Sequence, residues 1–522
     1  MSIQDILPQP NPNQSTTPAE LSLTSQIQLT VYPKSVQGVD NTFIFVGKNG
    51  SEKFLCILTE EKETEVSRLF EGILFTYSGG NKSATVKLCP MHHRNADSLR
   101  MLFPFTCPTV LGLHNSLGCG DRLGIANAGH LRAMTGSGFK PILAQQSVRE
   151  LERTKREAGD VMDAATWAVF QEGYKDGFGA DGDHLKTSAD IDRYASVGFT
   201  MFTLDIGAHV VNEAARMPLE EVKQRAAALP WNLLQDSLES MVDRYAGQQF
   251  TFADDFVLVP ETDLVLRALV KYGAAIAQTV VLANHLKQKW GSKPYEIELS
   301  VDETDTPTSP LEHFIIANEC KRLHITLVSL APRFIGDFEK GIEYKGDLCE
   351  FTKEYRKHLL IAQYSGPYKI SIHSGSDKFL VYEAVGSLKS GAVHVKTAGT
   401  SWLEALRAIA IAEPQLFREI LDYARAHYQN DRQSYHVTAE IAKMKRACEY
   451  TDAELQSLLM EENARQILHV TFGTILSSKD EHGRLIFQDR LMECLKKNEE
   501  VHYQCLIKHF ERHLKPLRQL NS

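Results

Sequence analysis

Two textures of hydrophobic and polar positions divide the chain. Between Ile27 and Cys89, short apolar runs (Ile27–Tyr32, Thr42–Val46, Phe54–Leu58, Ala84–Leu88) are punctuated by the turn-forming clusters Gly47–Gly50 and Ser78–Asn81. Runs of four to six residues bounded by such clusters predict a small antiparallel sheet, assigned here to residues 27–105. Beyond Thr109, runs of strand type alternate with segments of helical period. Eight such runs occur: Val110–His114, Phe139–Ala144, Gly177–His184, Phe199–Asp205, Tyr295–Ser300, Ile325–Leu330, Tyr368–His373 and Ala392–Lys396. Eight strand–helix units within 106–400 predict an α/β chain folded as a (β/α)8 barrel of the TIM type, with an insertion around 210–290 between the fourth and fifth strands. An open doubly wound sheet would show the same alternation.

The helical segments include Ser147–Ala158, Leu219–Ala228, Asp263–Trp290 and Ser309–Arg322. The last has a complete start signal: Ser309 to cap, Pro310 in the first turn and Glu312 to close a capping box. From Ser401 to the end (401–522) the period is helical, strongest in Trp402–Ala412, Pro414–Tyr428, Asp452–Leu476 and Phe487–Leu514. At the other end, residues 1–26 are rich in Pro, Asn, Gln, Ser and Thr and are expected to be flexible, having too little apolar surface to repay ordering.

Composition narrows the function more than the fold. Of 522 residues, 43% are hydrophobic and 24% charged, with a formal charge of −9. That balance disfavours nucleic acid and anionic membrane as partners, because both need clustered Lys and Arg. The longest apolar stretch, Leu264–Ala283, is interrupted by Arg267 and Lys271 and reads as a core helix. The N-terminus lacks the basic start and apolar stretch of a secretory signal. Nine scattered Cys without a C-x-x-C pair suit reduced thiols in the cytoplasm.

In a barrel, reactive side chains lie where apolar runs end in polar residues, at the carboxyl ends of strands. His184 closes the third run and His373 the seventh. Either alone would read as a hydrogen-bonded bystander; together, on strands of the same parity, they can converge on the barrel axis with a carboxylate to hold a divalent metal. Glu298 sits mid-run between Ile297 and Leu299, on one face with Glu296, Ser300 and Asp302. Facing outward it would be merely solvated. Facing inward it would be a buried carboxylate, costly without a partner and suited to a ligand or acid/base role. Asp183, beside His184, can orient a ligand, act as a general base or cap a loop.

Arg333 and Lys378 are cations at run ends that could clamp an anionic substrate, or balance nearby carboxylates at the surface. Gln145, Gln146, Ser147 and Arg149 offer hydrogen-bonding groups after the second run, Ser147 being equally a helix cap. The stretch Gly118-Cys-Gly-Asp-Arg-Leu-Gly124 is one residue too long for a dinucleotide fingerprint, so NAD is not expected. Asp121 and Arg122 read instead as residues of the loop at the barrel mouth.

Several of these segments, taken together, resemble the bacterial tagaturonate epimerase family. The resemblance rests on Gly120–Gly124, Ala144–Arg149, Ala165–Tyr174, Ala180–Lys186, Ser300–Pro310, Ser371–Lys378 and His394–Ser401, and runs from about Leu113 past His469. Gly182 departs from the family's A-D-A-D-H stretch, where Ala is expected. The resemblance implies an isomerase that interconverts the ketouronates D-tagaturonate and D-fructuronate with a divalent metal in hexuronate breakdown; His and carboxylate ligands suit Zn, Mn, Ni, Co and Fe alike. It further implies Asp183 as general base, Glu298 as general acid, and His184 and His373 as metal ligands. Glu303 is taken as the third ligand, with Asp302, Asp205 and Glu298 as alternatives, and Arg333, Lys378, Gln146 and Asp121 as substrate-binding. The two sugars differ at a hydroxyl-bearing carbon β to the ketone, where enolisation cannot act, so retro-aldol cleavage and re-addition is the expected chemistry. A metal-dependent aldolase or ketose isomerase would share the ligand set; a non-catalytic sugar-acid-binding protein would leave Glu298 unexplained.

Overall fold

The structure, a computed structural model, describes residues 19–22 and 27–521, apart from 61, 80, 81 and 398. Of the segment expected to be flexible, 1–18 and 23–26 lie outside the described residues, as do the last two residues of the turn at Ser78–Asn81. Ala19–Ser22 is a strand paired antiparallel with Gln28–Val31.

That pair opens a seven-stranded antiparallel sheet, continued by Thr42–Asn49, Glu52–Thr59, Lys82–Pro90 and Ile73–Gly79, with Gln37–Val39 against Thr42–Asn49. The run Phe43-Ile-Phe-Val46 is apolar throughout because both faces are covered. Phe45 packs with Leu29, Cys56 and Val86 on one face. Ile44 and Val46 meet Leu55, Phe70, Trp167 and Phe170 on the other, which fastens the sheet to a barrel helix.

The barrel is closed and parallel. Its strands are β1 (Ser116–Gly118), β2 (Lys140–Ser147), β3 (Gly179–Leu185), β4 (Met201–Asp205), β5 (Glu296–Ser300), β6 (Ser329–Ala331), β7 (Lys369–Ile372) and β8 (Val393–Lys396). Seven of them fall in the runs the sequence predicts. The first does not: Val110–His114 is a loop across the amino end of the barrel, and β1 begins after it. Leu111 of that loop packs with Ile142, Met201 and Val328, plugging the floor. The Leu111 amide donates to Glu296 at 2.9 Å and the Gly112 amide to the same oxygen, with Gly112 at φ +57°. An apolar alternation that suits a strand serves here as a plug.

Helices follow the predicted segments, but three of these are broken. Asp452–Leu476 divides into Asp452–Leu458, Glu462–Val470 and Phe472–Ser477, and Phe487–Leu514 into Gln488–Lys497 and Glu499–Leu517. Ser147–Ala158 divides into Val148–Thr154 and Ala158–Glu172, the first ending at Lys155 in the left-handed region. The Ser309–Glu312 capping box forms as predicted, an arrangement worth about 1 kcal/mol. The insertion between β4 and β5 holds short helices, a two-stranded hairpin and the 29-residue helix Thr262–Trp290. By length and composition that helix is apolar enough to cross a membrane, yet 72% of its most apolar stretch is buried in the protein, as a core helix requires. Helices from Thr400 to Leu517 form their own core around Trp402, Phe417, Leu468 and Phe472, while Leu506, Phe510 and Leu514 of the last helix join the barrel core. Through Tyr435 and His469 this region reaches over the carboxyl end of the barrel.

Candidate active site

Two imidazoles meet at the mouth. The rings of His184, at the end of β3, and His373, just after β7, lie 5.0 Å apart and nearly perpendicular (78°). Local backbone aims them there. His184 adopts φ +53° at a register shift in β3, and Ser374, following His373, adopts φ +51°. Left-handed non-glycine residues cost about 1–3 kcal/mol each and persist only where surrounding structure demands them.

Asp302 completes the group, with ligand atoms of His184, Asp302 and His373 all within 4.8 Å of one another. His373 Nδ1 lies 3.1 Å from Asp302 and its Nε2 2.7 Å from Glu298 Oε1. His184 Nδ1, buried, has no hydrogen-bond partner, although Asp205 Oδ2 is 3.4 Å away. Two imidazoles and a carboxylate converging beside a cleft, one ring nitrogen unpaired, fit a divalent cation with open positions for a ligand. A second cluster, Asp377, His509 and His513, does not. There Arg465 pairs with Asp377, the Asp377 amide donates to His513 Nε2, and His513 Nδ1 donates to a carbonyl, so the donors are already spent.

Below the imidazoles lies Lys396, the last residue of β8. Its ammonium is 2.8 Å from Asp181, 2.7 Å from Asp183 and 2.7 Å from Glu298 Oε1, and donates to Thr203 at 2.6 Å. Glu298 faces inward and is fully buried; Ser329 donates to its other oxygen at 2.5 Å. All its oxygens are thus engaged, and it reaches the cleft through Lys396 and His373. Burial alone would raise both carboxyls, but Lys396, with the two imidazoles at Asp183 and His373 at Glu298, holds each well below the usual carboxylate range. Asp181 goes the other way, to about 6, because burial and the neighbouring carboxylates outweigh Lys396. Burial disfavours charge on His373, yet Asp302 and Glu298 lift it to about 10.

The remaining expected site residues separate. Asp183 borders the cleft with Gln145, Lys396, Arg122 and His469. Glu303 does not join the imidazoles: it is 39% exposed at the mouth, 3.7 Å from Arg149, and Asp302 stands in the place assigned to it. Arg333 lines the outer part of the cleft, a space of about 540 Å³, its guanidinium donating to the carbonyls of Phe334 and Gly336. Gln146 lies off the cleft; Gln145 is the inward one, 3.5 Å from Asp183, because a register shift between β2 and β3 changes which residue faces in. Asp121 closes its own loop, accepting from the amides of Leu123, Gly124 and Ala126. Ser147 caps the helix that follows.

Lys378 is fully buried away from the cleft, where it donates to the carbonyls of Glu339, Ile342 and Ser376; burial pushes it down to about 7. Lys378→Met is expected to lower stability by about 2–4 kcal/mol, read from denaturant midpoints, because buried carbonyls lose their donor.

Four residues of the site escaped the sequence reading of function. Lys396 carried a signal, a charge ending an apolar run. Asp181 alternates with Asp183 on the inward face of β3. Lys340 lies in a loop without pattern. His469 comes from a helix nearly 300 residues from His184, and its ring fills the space over Gly399, where a Cβ would lie 1.8 Å from it. Burial, then Arg122, Lys340 and Arg465, keep that imidazole neutral.

The chain and its fold match known proteins over most of their length. The sequence profile of a family described as tagaturonate epimerase matches residues 32–517. The chain is 41% identical over 485 residues to the tagaturonate/fructuronate epimerase of Thermotoga maritima, covering 93% of this chain and 96% of that protein. Its fold is similar to crystal structures of fructuronate-tagaturonate epimerase from Cohnella laeviribosi. The native form has a TM-score of 0.86 and a form complexed with one glycerol 0.87. Both are 38% identical, covering 94% of this chain and 96% of the other.

Proposed function

The chain belongs to the tagaturonate epimerase family, whose members are isomerase-class enzymes, and from that premise we propose that it interconverts D-tagaturonate and D-fructuronate by retro-aldol cleavage and re-addition, in the cytoplasmic breakdown of hexuronates. One observation carries the reading: two carboxylates joined by a single ammonium lie directly beneath the converging His184, His373 and Asp302. These three residues would hold a divalent cation, which supplies a Lewis acid for the ketone oxygen.

The proton chemistry belongs to the chain. Asp183, held ionised by Lys396 at the cleft wall, takes the proton from the hydroxyl on the carbon β to the ketone. That carbon becomes an aldehyde as its bond toward the ketone breaks, and the bonding electrons pass to the carbonyl as an enediolate. The aldehyde turns its other face and the bond re-forms. Lys396 relays the hydroxyl proton from Asp183 to Glu298 and, once the aldehyde has turned, back to the new alkoxide, since Glu298 is ionised at rest and reaches the cleft only through Lys396 and His373. In the reverse direction the two exchange roles. Asp302 and Glu298 together fix the His373 ring, and the dry floor formed by Leu111, Ile142, Met201 and Val328 keeps bulk water from beneath the charges.

The experiment is conversion of tagaturonate before and after chelation, with metals restored singly and products separated by chromatography. Fructuronate as sole product, lost on chelation and regained with one cation, is expected; released three-carbon fragments would mark an aldolase. Run in D2O, the inverted carbon is expected to carry no deuterium, since its C–H bond never breaks. Deuterium there would refute the cleavage mechanism.

A further inference from the structure

Recognition of a ketouronate requires a cation for its carboxylate, and most cations around the cleft are already committed. Lys396 serves three carboxylates, Arg333 donates to the carbonyls of Phe334 and Gly336 at the outer cleft, and Arg149 faces Glu303 at the mouth. Lys340 is different. Its ammonium donates to the hydroxyl of Ser374 at 2.6 Å, beside His373, and no carboxylate pairs with it among the described residues. It borders both the outer and the inner part of the cleft.

The loop that carries it is bolted in place. Lys378 holds the carbonyls of Glu339 and Ile342, Arg465 holds that of Gly341 at 2.7 Å, and the Glu339 carboxylate accepts from Thr438, Gln466 and Lys345. Arg122 borders the same inner cleft and is 5% exposed. Its guanidinium lies 3.7 Å over the Phe472 ring, its Nε donates to Glu150 at 2.9 Å, and its buried Nη1 has no hydrogen-bond partner. A rigid guanidinium with spare donors and an unpaired ammonium, both on the inner cleft, suit one anionic group.

We propose that Lys340 and Arg122 form the subsite for the substrate carboxylate and so set the preference for a ketouronate over the neutral ketose of the same configuration. The proposal deepens the functional reading above and rests on it. Lys340 supplies the point charge, and Arg122 is held in fixed orientation by Phe472 and Glu150.

The test measures dissociation constants of D-tagaturonate and D-tagatose on the metal-loaded enzyme by calorimetry, for wild type, Lys340→Met and Lys340→Arg. Loss of one charge-assisted contact is expected to weaken tagaturonate about 10- to 100-fold in Lys340→Met and to leave tagatose within about twofold. Lys340→Arg is expected to recover most of the tagaturonate affinity. Equal weakening of both sugars, or of neither, would overturn the subsite. Absence of any epimerisation by the wild type would instead overturn the functional reading, while the contrast between the two sugars would still judge the subsite.

Discussion

Glu298→Gln is expected to lower epimerisation by about 10²–10⁴-fold in both directions while the fold and the metal content remain. The amide is isosteric with the carboxyl, so the contacts to Ser329 and Thr203 have counterparts in the variant. What changes is charge. A neutral amide cannot exchange a proton, and it leaves Lys396 and His373 without the negative charge that Oε1 presents at 2.7 Å from each. Turnover is the sensitive quantity, because Glu298 meets the cleft only through those two residues, and KM is expected to move little. Steady-state rates from each ketouronate, with circular dichroism and metal analysis of the same sample, read the result. Turnover equal to wild type in both directions would remove Glu298 from the chemistry.

Lys396→Met is expected to have the largest effect on stability. Met matches the stem but removes the ammonium shared by Asp181, Asp183 and Glu298, leaving buried carboxylates uncompensated at a cost of about 3–5 kcal/mol at neutral pH. The pH dependence has a definite sign. In the wild type, Asp183 and Glu298 titrate below their unfolded values, so their stabilising contribution is present at neutral pH and is lost as pH falls through the acid range. Without Lys396, burial dominates and the carboxyl pKa values rise above the unfolded ones, so the variant gains protons on folding and is relatively better off in acid. The deficit between variant and wild type is therefore largest at pH 7.5 and narrower at pH 5. Urea unfolding of both proteins in chelator at the two pH values measures it. A variant as stable as wild type at pH 7.5 would show that the cluster does not depend on this cation.

The contrast between residues the sequence exposed and those it hid follows from strand geometry. His184, His373 and Asp183 were legible because each is polar at or near the end of an apolar run, and Glu298 because it interrupts one; a parallel barrel strand covered on both faces has no need of such residues. Legibility failed where period two fails. Asp302 and Glu303 follow β5 in irregular chain, so neither alternation nor residue type says which one turns toward the imidazoles. A register shift in β2 and β3 exchanged Gln145 for Gln146 in the same way. Among cations the pattern misdirected: Lys378 was read as a clamp for an anionic substrate, whereas it is a buried staple that holds the loop of Lys340, a residue with no pattern to mark it.

The amino-acid pattern alone determined the alternation of strands and helices, the sheet before it, the helices after it and the strand ends where chemistry had to lie, because burial periodicity is a local property of consecutive residues; closure into a barrel rather than an open sheet came from the tertiary structure. Only the tertiary structure decided that Lys396 gathers three carboxylates, that Asp302 rather than Glu303 completes the imidazole pair, and that Leu111 plugs the floor instead of forming a strand. Those outcomes depend on groups brought within 3–5 Å from as far as two hundred residues apart, and on the pairing of charges once water is excluded.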